Sequence, residues 1–168
     1  MLRAAAHLLP LALLAPLVLA GVACDGGDGD DASGSASAGD SNLLDEVDGY
    51  RGWARAPGDY ETPLVPSQGV HGGFIDIYVN DVVAEALLAE ADTLSAWPTG
   101  SIIVKDGFGD PEGSSLSLIA IMEKRAGGWY WEEYSADDLE TPIFSGTPDI
   151  CVDCHSSGSD LVRAFKLP

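Results

Sequence analysis

The sequence predicts an α+β fold, mainly an antiparallel β-sheet with one or two packed helices. Three observations point to it. Four runs rich in β-branched and aromatic residues, at 74–79, 101–105, 116–123 and 129–134, follow one another in hairpin-like succession. Gly127-Gly128 supplies a tight turn between the last two runs. A capped helical pattern after Asn80-Asp81 fills the gap between the first two.

In chain order, residues 1–23 are expected to be a signal peptide of the lipoprotein type. Arg3 gives a positive start, and the apolar run from Leu8 to Ala20 is too short and too broken by Pro10 and Pro16 for a membrane span. It ends in Leu-Ala-Gly-Val-Ala-Cys, which places Cys24 where such proteins carry an acylated cysteine. Gly21 stands where leucine is preferred, so ordinary cleavage nearby is the alternative. Residues 24–42 are an acidic Gly/Ser-rich linker whose composition cannot bury a core. The folded domain is expected over 43–168.

Ser41 or Asn42 caps a helix from Leu43 toward Trp53, with Leu44, Val47 and Tyr50 along one side. Prolines and glycines make 56–73 a loop, with His71 at its end. FIDIYV (74–79) is the first strand, and Asn80-Asp81 caps a helix over 82–91. SIIVK (101–105) is the second strand. LSLIAIME (116–123) is apolar on both faces in its second half, which places it centrally in the sheet. WYWEEY (129–134) is the fourth, and Leu161–Phe165 is a short strand or helical turn.

The formal net charge of -19 makes contact with nucleic acid phosphates or anionic headgroups unfavourable, so no nucleic-acid partner is expected. Acidity serves solubility, or a docking face for a basic electron-transfer protein. Of three cysteines, one is assigned to lipid and two to the motif below, leaving none for a disulfide.

That motif is Cys151-Val152-Asp153-Cys154-His155. Two thiols at this spacing can each add across a haem vinyl group, and the adjacent histidine then lies beneath the iron as proximal ligand. A zinc or redox Cys-x-x-Cys is the alternative, but zinc needs a closed set of four ligands. One covalent haem c is therefore the expected cofactor, held by Cys151, Cys154 and His155 near the C-terminus. Covalent haem attachment occurs beyond the cytoplasmic membrane in bacteria, which agrees with an exported product. The expected location is the cell envelope facing the periplasm, anchored by lipid, with the inner and outer membranes both open.

The succession HGGFIDIYVN, PTGSIIVK, LSLIAIMEK, GWYWEEY and CVDCHSSGSDLVRAF resembles the cytochrome P-460 family, including the related cytochromes c′-beta. The resemblance covers about residues 43–168. It implies a mainly antiparallel sheet with helices, commonly dimeric, carrying one c-type haem with Cys151 and Cys154 as thioethers and His155 below the iron. Enzymes of the P-460 type also cross-link a lysine to the porphyrin and oxidise hydroxylamine with nitric oxide chemistry. The cytochromes c′-beta bind nitric oxide or related gases at five-coordinate iron beneath apolar aromatic caps.

The chain has three lysines, Lys105, Lys124 and Lys166. Lys105 ends the block most like the family's lysine-bearing strand and is the first cross-link candidate, Lys124 the second. Glu123 is the candidate base for bound hydroxylamine, although strand alternation can turn it away from the pocket. A sixth ligand from His71 or Met122 would make the chain an electron carrier. Met122 reads as core packing and His71 as a hydrogen-bonding or surface residue. Phe74, Tyr78, Phe108, Trp129, Trp131 and Phe144 are candidates for an apolar roof that would favour a small neutral ligand. Three readings follow: a haem protein that binds, oxidises or reduces nitric oxide or hydroxylamine, an electron-transfer or gas-sensing cytochrome without catalysis, and a domain that keeps the fold but has lost redox function.

Overall fold

The computed structural model describes residues 42–168, so the expected signal peptide, Cys24 and most of the expected linker lie outside the described residues. Within them the chain forms strands β1 (Ala54–Arg55), β2 (Val65–Pro66), β3 (Phe74–Val79), β4 (Ile102–Phe108), β5 (Leu116–Arg125), β6 (Gly128–Ser135) and β7 (Phe144–Gly146). The helices are α1 (Leu43–Glu46), α2 (Asp81–Ala86) and α3 (Asp149–His155). The strands make one antiparallel sheet in the order β1-β3-β4-β5-β6-β7, with β2 also pairing β3. The fold is α+β and mainly antiparallel, with β5 central between its two longest neighbours.

Helix starts follow the cap chemistry. The Asn42 side chain accepts from Leu44 N–H at 2.9 Å. Asn80 accepts from Val83 N–H at 3.2 Å and Ile102 N–H at 3.1 Å, so one side chain joins the start of α2 to the start of β4. Both helices are shorter than expected. α1 stops at Glu46 because Gly49 takes a left-handed φ of 78°, and a 3-10 turn over Tyr50–Gly52 replaces its continuation. α2 stops at Ala86: Leu87 closes it and still packs against the core, whereas Leu88 beyond it is 87% exposed.

β4 runs three residues past Lys105 because the Asp106 carboxylate is buried and paired rather than solvated. The hairpin loop between β5 and β6 is Ala126–Gly127, since Arg125 pairs with Gly128, which opens β6 at φ 125°. The segment 161–165 is neither strand nor helical turn. Among these residues Val162 alone takes part in a bridge, to Ser159, while Val162 and Phe165 are buried in the core.

Strand alternation gives the sheet two unlike faces. One face packs Tyr78, Val104, Ile119, Ile121 and Tyr134 against Leu43, Val47 and Tyr50. Its buried carboxylates are satisfied. Asp106 accepts from Tyr50 Oη and from Arg51 Nε at 2.7 Å, and Glu132 accepts from Tyr134 Oη and from Leu43 N–H at 2.8 Å. These bonds hold the N-terminal segment to the sheet. The other face packs Ile75, Ile77, Ile103, Met122 and Trp131 against α2, Trp97 and the C-terminal segment. The candidate site lies on this second face.

Candidate functional site

α3 begins after Pro148, whose carbonyl accepts from Cys151 N–H at 3.0 Å and Val152 N–H at 3.1 Å. Proline preceding the helix lacks the donor that a first turn cannot satisfy. Within α3, Cys151, Cys154 and His155 stand at i, i+3 and i+4 and so share one face. All three line a cavity of about 290 Å³ between α3 and the sheet, walled chiefly by apolar groups including Ile103, Met122, Trp131 and Phe144. Val152 packs against the core beside it.

His155 Nδ1–H donates to Leu161 O at 2.7 Å. A carbonyl can only accept, so the bond fixes the tautomer and leaves the Nε2 lone pair available to a metal. Burial also holds the His155 pKa below its ordinary value and keeps the imidazole neutral. The acceptor is presented by an unusual turn. Asp160 and Leu161 have φ of 46° and 65°, left-handed conformations that cost a non-glycine residue about 1–2 kcal/mol each. Gly158 is required just before them, because a Cβ there would lie 2.5 Å from Val162 O.

The sheet beneath α3 contributes a cross-strand row, Ile77–Lys105–Ala120–Glu133–Phe144, with all side chains on one face. Ala120 is small and leaves room between its charged neighbours. His71 joins them: its Nδ1 is 3.2 Å from Lys105 Nζ and its Nε2 is 3.2 Å from Glu133 Oε2. Lysine only donates, so Nδ1 accepts and Nε2–H donates to the carboxylate. Burial brings the Lys105 pKa down to about 8, opposed by the nearby Glu133 carboxylate. The His71 backbone reaches the row because β4 has Gly107 at that point. A Cβ on Gly107 would lie 1.9 Å from His71 O.

Burial and the neighbouring Glu133 push the Cys151 thiol up to about 11. Redox and metal-binding cysteines work as thiolates, so this setting disfavours both uses. Among the described residues no three His, Cys, Asp or Glu side chains group as a metal-ion site. The residues fit a haem in other respects. The walls are apolar, two thiols and one neutral imidazole share a helical face, and the Trp131 indole N–H is buried in the wall without a partner among the described residues. A bound group with an acceptor edge would satisfy that donor.

Of the other sequence candidates, Phe144 and Trp131 line the cavity, whereas Tyr78 packs on the opposite face of the sheet. Met122 is buried in the core with its side chain in the cavity wall. Both His71 nitrogens are engaged by protein groups, which gives it the hydrogen-bonding role rather than that of a ligand. Lys105 reaches the cavity. Lys124 does not line it and is held by Asp160 at 2.8 Å. Glu123 pairs with Ile102 and Tyr130 across its strands, on the far face from Ala120, and bonds Arg125 at 2.5 Å. The carboxylate that reaches the cavity is Glu133, which the sequence reading missed. Pairing across the Gly-rich hairpin was the signal for it, since any turn of even length there puts Glu133 on the face of Ala120 and Met122.

No family model matches the chain, and no curated protein matches it in sequence.

Proposed function

We propose that this chain is an exported, lipid-anchored c-type haem protein that binds a small nitrogen species, nitric oxide or hydroxylamine, at an open iron position, as the resemblance to the cytochrome P-460 family implies. The observation that carries the reading is the set of Cys151, Cys154 and His155 on one helical face of an apolar cavity, with His155 Nδ1 already committed to Leu161 O. Thioether attachment would use the two thiols, and His155 Nε2 would hold the iron. Haem bound there would supply a centre that exchanges electrons with a small nitrogen ligand.

The surrounding residues have roles that their contacts define. Ile103, Met122, Trp131 and Phe144 exclude water and disfavour anions. His71 Nε2–H holds one oxygen of Glu133, leaving the other to accept a proton. Lys105 Nζ donates to His71 Nδ1 and lines the cavity, which supports it over Lys124 as the candidate for the cross-link that the resemblance implies. Glu133 takes the place of Glu123 as candidate base. A redox partner protein and a homodimer belong to the same proposal.

The test is the optical spectrum of purified holoprotein, ferric and ferrous, with and without nitric oxide, beside a denaturing gel stained for haem. Covalent haem in the wild type and its loss in the Cys151→Ala/Cys154→Ala variant are expected. Colourless wild-type protein would remove the reading. Uptake of nitric oxide without hydroxylamine turnover would assign gas binding, and neither activity would assign electron transfer.

A further inference from the structure

Resting on the proposed haem site, we infer that Asp160 and Lys124 are positioning residues for the proximal histidine, acting together through the Leu161 carbonyl. The left-handed pair Asp160-Leu161 is not favoured locally, so something outside the turn must hold it. The restraint converges on Asp160. Its carboxylate accepts from Trp97 N–H at 2.8 Å and pairs with Lys124 Nζ at 2.8 Å through both oxygens. Its carbonyl accepts from Trp129 Nε1–H at 2.8 Å, and Ser159 O accepts from Trp97 Nε1–H at 3.1 Å. Both indoles are almost wholly buried, so the anchor points are rigid.

The strands therefore reach the proximal side of the site through this clamp. Lys124 and Trp129 are cross-strand partners on β5 and β6, and the Lys124 ammonium also lies 5.3 Å from the Trp129 ring centre. With the turn held, Leu161 O stays 2.7 Å from His155 Nδ1. A hydrogen bond from the non-ligating nitrogen raises the basicity of the ligating one and stabilises the oxidised metal. Loosening the clamp weakens that bond and raises the reduction potential of the iron.

The test measures the ferric/ferrous potential of holoprotein in the wild type, Asp160→Asn and Lys124→Met. Simple charge removal moves the two variants in opposite directions, since deleting an anion favours reduction and deleting a cation disfavours it. The clamp requires both potentials to rise, with haem content unchanged. In ferrous protein the iron–histidine stretching frequency should fall in both. Shifts of opposite sign, or unchanged potentials with a lowered melting temperature, would overturn the inference and leave the haem reading standing. Wild-type protein without covalent haem would overturn both.

Discussion

Lys105 and Glu133 stand two strands apart in one cross-strand row, with only the methyl group of Ala120 between them and the His71 ring bridging their ends. A cation and an anion in this arrangement do not make a direct pair. The imidazole stands between them and ties the orientation of one to the other. Each group is thereby presented at the cavity with a defined donor or acceptor.

Glu133→Gln should keep haem and nitric oxide binding but lower hydroxylamine turnover by about 10²-fold, the usual scale of one acid–base group. Glu123→Gln, on the opposite face, should leave turnover unchanged. Steady-state rates at saturating substrate decide it, and equal rates for the two variants would return Glu133 to a structural role.

Stability should rise with pH through the Lys105 titration. Its folded pKa of about 8 lies below the ordinary lysine value of 10.5, so between the two the unfolded chain binds more protons and raising the pH favours the folded state. The penalty for burying the ammonium is present below about pH 8 and is relieved as pH approaches 10.5. Lys105→Met removes this dependence. Its stability advantage over wild type, on the order of 2 kcal/mol at neutral pH once solvent access at a half-buried site is allowed for, should shrink across that window. Urea midpoints from pH 7 to 10 check it.

Gly107→Ala should displace the His71 loop, because the added carbon would overlap the His71 carbonyl oxygen. We expect a loss of about 2 kcal/mol or more in urea unfolding. Gly127→Ala is the control. A Cβ there meets nothing within 4 Å, and its effect should stay within about 0.5 kcal/mol.

Ala120→Leu should leave the sheet folded and obstruct the cavity between Lys105 and Glu133. Slower uptake of nitric oxide with an unchanged far-ultraviolet dichroism spectrum is the expected pair of results. Unchanged uptake would place the ligand path elsewhere.

The long strands were legible because β-branched and aromatic residues suit a pleated surface buried on both sides, as in β3 and β5. Short β1, β2 and β7 carry no such run and exist by pairing with neighbours, which no local pattern reveals. The Cys-x-x-Cys-His motif was legible as a motif because it is local to five residues, and α3 brings its two thiols and imidazole to one face. Glu133 was not, because the relation that matters is register. A bulge between Gly107 and Phe108 shifts the pairing of β4 with β5, and the facing of Lys105 and Glu133 is set only when both hairpins are in place. His71, in the loop before β3, depends likewise on Gly107 in β4.

The turn after α3 bears on what an attachment motif is. In the proposed haem site Cys151 to His155 would supply the bonds, but the histidine's second nitrogen is served by Leu161, through a turn that needs Gly158 and is gripped through the side chain of Asp160. Transplanting the pentapeptide alone into another scaffold would carry the two thiols and the imidazole without the hydrogen bond that orients the ring. The transferable unit runs from Cys151 to Leu161, and even that unit needs a host with a lysine and two tryptophans to grip it.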